Sequence, residues 1–230
     1  MLYNKDCLEF LMEIKDCTVD LILTDPPYDI SKDSGFSSGK LKKFTTYKTD
    51  FGDWDHCVVD MPKVISELFR VLKKSGTLIC FYDLWKVSEL KFLMETSGFS
   101  QIRFIEYLKT NPVPVNSSVN YLTNCREIAL TGVKGTKPTF NSKYDNGVYE
   151  FPICQDKGRF HPTQKPLKLF EALIQKHSNE NDLILDCFSG SGTTALACLN
   201  LNRRFIGSEI NPEYFEKSLE RIKVSNVSEW

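Results

Sequence analysis

Apolar residues along this chain gather in short runs bounded by polar or turn residues, and these runs alternate with stretches in which they return every three or four positions. The short runs fall at about 1–5, 19–24, 76–82, 99–108, 126–131, 182–187 and 203–208, lengths that predict seven β-strands. Helical spacing is clearest at Met61, Val64, Ile65, Leu68 and Leu72, ahead of Lys73, Lys74 and Gly76. Such a stripe suits a helix packed on a sheet. Similar stripes run through 84–97, 166–178 and 212–223; Asn211 supplies an N-cap for the last and Pro212 suits its first helical position. Strands alternating with helices predict an α/β fold: a seven-stranded, mostly parallel sheet with helices on both faces.

Two stretches depart from the pattern, the polar, lysine-rich 31–55 and the Gly-, Pro- and Asn-containing 132–162. Loops this long are expected to be functional or disordered. No repeat and no Gly-, Ser- or Pro-rich linker divides the 230 residues, so one domain over 1–230 is expected. No window approaches the roughly 18 apolar residues of a membrane span, and the start lacks the regions of a signal peptide. A soluble, intracellular protein is expected. The eight cysteines are scattered without the close spacing of a zinc site, which predicts reduced packing residues and no metal. The formal charge is only −1, but it is unevenly spread: residues 101–170 carry ten Lys/Arg against five Asp/Glu, and 31–50 carry five against two. Two basic segments on an acidic body fit either solvated loops or a phosphate-facing surface.

Ligands of an open α/β sheet collect beyond the carboxyl ends of its strands, where Asp6, Asp25, Asp186 and Glu209 fall. Each alone also fits a helix cap or a turn. Their surroundings add to the picture. After the run 19–24 comes Asp25-Pro26-Pro27-Tyr28, whose prolines fix the backbone and remove two N–H donors, leaving carbonyl acceptors. A carboxylate, a rigid acceptor and an aromatic face suit an amino group on a flat ring. The amine of adenine or cytosine is a poor nucleophile because its lone pair is delocalised; Asp25 and the Pro26 carbonyl could each accept one N–H and localise that pair. The tetrapeptide also fits a merely rigid turn.

The second constellation, Asp186-Cys187-Phe188-Ser189-Gly190-Ser191-Gly192-Thr193-Thr194, reads as strand, glycine turn and helix. Gly190 and Gly192 allow close backbone approach, and Glu209 after the next strand is placed to accept hydrogen bonds from ribose hydroxyls, so a nucleoside-bearing cofactor is implied. The glycine pattern loosely satisfies a dinucleotide fingerprint too, but little chain follows it to complete such a fold. A phosphate-binding P-loop is disfavoured because no Lys follows the glycines.

Taken together, these motifs resemble the amino-directed DNA methyltransferases, in the circularly permuted order of their β group, with the catalytic tetrapeptide ahead of the cofactor loop. Asp25, Pro26, Pro27 and Tyr28 match the catalytic motif. Asp186, Phe188, Gly190, Ser191, Gly192 and Thr193 match the loop that holds the methionine moiety, and Glu209 the ribose-binding acid. Asp6-Cys7-Leu8 resembles the segment that contacts the cofactor's adenine, and His161-Pro162-Thr163-Gln164-Lys165-Pro166 the cofactor-side signature, in which Thr163, Gln164 and Lys165 help hold the methionine end. Without the family, His161 would be read as a loop or packing residue and Lys165 as a solvated charge. Asn111-Pro112-Val113-Pro114 resembles a further family segment.

The resemblance implies the Rossmann-like sheet of S-adenosylmethionine-dependent methyltransferases, S-adenosyl-L-methionine as cofactor, DNA as partner, base flipping, and a prokaryotic or phage-encoded cytoplasmic enzyme of the restriction-modification type. It allows a homodimer. Asp ahead of Pro-Pro-Tyr goes in this family mostly with adenine, and Ser mostly with the cytosine amine, so site-specific methylation of the 6-amino group of adenine is expected. The 4-amino group of cytosine is the alternative, and an inactive cofactor-holding DNA-binding module a further one. Carbon-5 methylation is disfavoured, since no Pro-Cys dipeptide supplies the thiol. The basic stretch 109–160 is expected, by position and charge, to be a small DNA-recognition insertion.

Overall fold

The computed structural model of the chain describes residues 1–27, 59–112, 123–154, 159–161 and 163–227, with the side chains of the final helix described to residue 224. Tyr28 and Pro162 of the expected site, and the whole of the stretch 31–55, lie outside the described residues.

Eight strands form one sheet among the described residues: β1 (Leu2–Tyr3), β2 (Val19–Thr24), β3 (Leu72–Tyr82), β4 (Ser100–Lys109), β5 (Arg126–Val133), β6 (Val148–Phe151), β7 (Leu183–Asp186) and β8 (Arg204–Ser208). Their order is β1-β8-β7-β2-β3-β5-β4-β6. Pairing is parallel from β1 through β3, antiparallel for β5 against both β3 and β4, and parallel again for β4 with β6. The seven expected strands are all present, and β6 is the eighth. Its four residues lie in the irregular stretch 132–162 and pair only with β4, too short a run to show a period.

Six helices complete the described chain: α1 (Cys7–Met12), α2 (Met61–Val71), α3 (Val87–Ser97), α4 (Leu167–His177), α5 (Thr193–Asn200) and α6 (Pro212–Val227). Period-two alternation divides the central strands between two cores. Ile22, Leu78, Cys80 and Leu185 pack with α1, α2 and α3 on one face, and Leu21, Leu23, Ile79, Phe81 and Ile184 with α4 and α5 on the other. Strands covered on both faces read as continuous apolar runs, which is why 19–24 and 182–187 stood out in the sequence. The α2 stripe buries Met61, Val64, Ile65, Leu68 and Val71, each contributing about 1.5–3 kcal/mol relative to exposure. Arg70 ties this helix to α1: its Nη2 donates to the Leu11 carbonyl and its Nη1 to the Ile14 carbonyl, both at 2.8 Å. No helix among the described residues is long and apolar enough to cross a membrane.

Strand direction assigns a place to each loop. The carboxyl ends of β1, β2, β7 and β8 share one edge of the sheet, because these strands run parallel. β5 runs the other way, so its last residue, Val133, pairs with Thr77 in the middle of β3 and Ile128, near its start, with Tyr82 at the end of β3. The basic stretch 109–160 is thereby divided. Residues 126–133 and 148–151 are strands, while Gly135 and Thr136 contact Ser100 and Gln101 at the amino edge of β4. The described ends of the stretch and the start of β5, with Asn124 and Glu127, lie at the carboxyl edge.

Candidate active site

A cavity of about 780 Å³ opens at the carboxyl edge, within the range of small-molecule sites. Asp6, Asp25, Asp186 and Glu209 all line it, as do Pro26, Pro27, Cys7, His161, Thr163, Gln164, Lys165, Phe188, Gly190, Ser191 and Thr193. Gly192 does not. It adopts a left-handed φ of 73° ahead of α5, and a side chain there would meet Ser218 and Ile222 of α6. It turns the chain and lets two helices approach.

The four acids act differently. Asp6 caps α1, accepting from Leu8 N at 2.8 Å and Glu9 N at 3.3 Å. Asp186 is 3% exposed and enclosed by donors: Thr24 Oγ1 (2.8 Å) and Phe188 N (3.1 Å) on Oδ1, and Thr194 Oγ1 (2.5 Å) on Oδ2. Burial pushes its carboxyl up to about 6 despite these three donors. Asp186 thus ties Thr24, the residue before Asp25, to the glycine loop. Glu209 accepts from Gly190 N and Asn211 N, each at 2.8 Å, and burial raises its carboxyl above the ordinary range.

Asp25 faces a cation. Lys165 Nζ lies 2.6 Å from its Oδ2 and 2.8 Å from Glu127 Oε2, and Lys109 Nζ lies 2.7 Å from Glu127 Oε1. Burial opposes the Lys165 charge, but the two carboxylates outweigh it and hold the ammonium above the lysine range. Burial likewise opposes the Glu127 charge, and Lys165 with Lys109 brings that carboxyl down to about 2. Lys165, expected on the cofactor side, is therefore paired with Asp25. Glu127, Lys109 and Tyr214 also line the cavity and were not anticipated. A signal for the first existed: Glu127 shares the inward face of β5 with Ala129, which packs on the α4 side.

His161 stacks edge-on against Tyr214 at 4.5 Å, and its Nδ1 accepts from Thr163 N at 3.3 Å, which assigns the ring proton to Nε2. Burial, then Lys165 and Arg159, lowers it to about 4, so the ring is neutral at pH 7. Beside it Gly190, at φ 50°, leaves space that a Cβ would fill 3.5 Å from Nε2.

A nucleoside with a polar tail fits these walls. The Ser189 hydroxyl is buried and has no hydrogen-bond partner among the described residues, an arrangement that suits a bound polar ligand. The apolar Leu8, Phe188 and Ile210 line the cavity together with Glu209. No group of three or more His, Cys, Asp or Glu among the described residues is placed to hold a metal ion.

Comparison with known proteins agrees with this geometry. The model of the DNA methylase family named for N6 and N4 methyltransferases matches residues 19–220, and the chain belongs to that family. It is 31% identical to the type II methyltransferase M2.DpnII of Streptococcus pneumoniae, over 98% of this chain and 90% of that protein. It is equally 31% identical to the DNA adenine methyltransferase YhdJ of Escherichia coli, over 96% of this chain and 82% of that protein. Among solved structures, M1.HpyAVI in complex with SAM superposes with a TM-score of 0.71 at 31% identity, covering 96% of this chain and 98% of its own.

Proposed function

We propose that this methyltransferase acts on the 6-amino group of adenine in DNA, flipped into the cavity beside Asp25. One observation carries the reading: Asp25, Pro26 and Pro27 share a single cavity with Ser189, Gly190 and Glu209, so a base amine and a bound nucleoside cofactor can meet. S-adenosylmethionine supplies an electrophilic methyl group. Glu209 and Ser189 hold its polar groups, Phe188 and Leu8 supply apolar contact, and His161 with Thr163 and Gln164 closes the side of the site towards α4. Asp25 and the Pro26 carbonyl accept the two N–H groups of the amine, drawing the nitrogen lone pair out of conjugation. Tyr28 serves as the stacking platform.

DNA reaches the site from the carboxyl edge, so we assign its contacts to the basic side chains of the stretch 109–160 that lie at this edge, Arg159 among them. Incubation with labelled S-adenosylmethionine and unmethylated genomic DNA, followed by digestion to nucleosides and mass spectrometry, is expected to yield N6-methyladenine. Labelled N4-methylcytosine would move the target to the other amine, and unlabelled DNA alongside demonstrated cofactor binding would overturn the reading. Asp25→Ala is expected to lower the methylation rate by about 10²–10⁴-fold while sparing cofactor affinity.

A further inference from the structure

Asp25 is one end of a line of alternating charge. From the residue after β2 the line passes to Lys165 ahead of α4, to Glu127 on β5 and to Lys109 at the end of β4, with contacts of 2.6, 2.8 and 2.7 Å. Four elements contribute one charge each, and the formal sum is zero. Lys165 is 8% exposed at its side chain, and its ammonium stands 5.0 Å from the centre of the Phe81 ring. A buried ion chain contributes little net stability compared with apolar packing. Its position against the reacting carboxylate gives it a different use.

We propose that Lys165, held by Glu127, is a positioning residue for Asp25, clamping Oδ2 and so fixing the plane in which the carboxylate meets the target amine; this rests on the functional reading above. In the reaction the amine nitrogen would form the N–C bond with its lone pair as the methyl–sulfur bond breaks, the electrons of that bond leaving with the neutral thioether; positive charge develops on the nitrogen until it loses one proton through Asp25 to solvent. A carboxylate turning about its Cβ–Cγ bond would misalign its acceptor lone pairs. An ammonium swinging towards the nitrogen would oppose the developing charge. Glu127 restrains Lys165 from the far side and offsets its charge, and Lys109 in turn compensates Glu127.

Other titratable groups facing this line are Asp186 on β7, Cys80 on β3, Tyr107 on β4 and His161 ahead of α4. Burial pushes Tyr107 up to about 12 and Cys80 higher still, so neither ionises near neutrality. Asp186, at about 6, and His161, at about 4, do titrate nearby; Glu127→Gln leaves both in place and keeps Lys165 beside His161, so its profile isolates the charge line.

The test compares wild type, Glu127→Gln and Lys165→Met by single-turnover methylation across pH, calorimetric S-adenosylmethionine affinity and melting temperature. Glu127→Gln should lower the rate about tenfold with cofactor Kd within about twofold of wild type. Lys165→Met should lower the rate at least about 100-fold and move the acid limb of the profile to higher pH, because two carboxylates then face each other with no cation between them. A wild-type rate and pH profile in Glu127→Gln would overturn the proposal. So would a rate loss matched by equal losses of cofactor affinity and melting temperature, which would make the line merely structural. Should Lys165→Met fail to fold, the neutral isostere Glu127→Gln decides alone. Wild-type methylation of DNA is measured first; its absence defeats the functional reading, and the positioning role with it.

Discussion

At the residue scale, Asp186 shows how one carboxyl can join two motifs, reaching Thr24 162 positions away in the chain. Its oxygens take hydroxyl donors from Thr24, next to Asp25, and from Thr194, at the start of α5, so neither the tetrapeptide nor the glycine loop can shift without breaking a charge-assisted hydrogen bond. The sequence placed Asp186 at the cofactor; what it could not show was that both oxygens are already satisfied, since that depends on the pairing of β2 with β7. Burial raises this carboxyl from 3.8 to about 6, so the folded state binds more protons than the unfolded state between those values. Its contribution is fully present below about pH 4 and falls as pH rises to 6, by about 3 kcal/mol. His161 and His177 work in the opposite sense: burial lowers each to about 4, so their contribution is lost as pH falls from 6.5 towards 4. Asp186→Asn removes the opposing slope. Urea unfolding at pH 7 and pH 4.5 should therefore show a steeper acid-side loss in the variant than in wild type; parallel slopes would contradict the protonation of Asp186.

At the element scale, period and strand-end position carried most of what was legible. Asn211 does cap α6, its Oδ1 accepting from Glu213 N at 2.9 Å and Tyr214 N at 3.1 Å, and all four strand-end acids reached one cavity. What stayed hidden was short or depended on distant partners. The six residues of α1 are too few to display a stripe, and Tyr214 joins the site only because α6 returns beside the sheet to meet His161. The end of α4 is another such case. Asn141, from the irregular stretch before β6, donates its side-chain amide to the carbonyls of Gln175 (3.0 Å) and Ser178 (2.9 Å), and its backbone N–H to that of Lys176 (2.7 Å). These carbonyls belong to the helix terminus that lacks intrahelical donors. Asn141→Ala should cost about 1–2 kcal/mol in urea unfolding and leave cofactor affinity unchanged, because the cavity lies at the other end of α4. An affinity loss as large as the stability loss would show the two ends of this helix to be coupled.

At the scale of the whole molecule, the polarity of the sheet sorts charge that composition alone left ambiguous. Lys137 and Arg159 both belong to the basic stretch 109–160, and both are exposed. Lys137 follows Thr136, whose carbonyl accepts from Gln101 at the amino edge, whereas Arg159 Nε donates to the carbonyl of His161 at the cavity. A duplex delivering a flipped base to Asp25 passes the carboxyl edge and leaves the amino edge in solvent. Each phosphate neutralised by a basic side chain contributes about 0.9 to the slope of log affinity against log salt. Arg159→Ala should therefore weaken DNA binding and flatten that slope by about 1, and Lys137→Ala should leave both affinity and slope at wild-type values in anisotropy titrations with duplex DNA between low and physiological salt. Equal flattening by the two substitutions would mean that DNA wraps both edges of the sheet, and the carboxyl-edge approach would have to be abandoned.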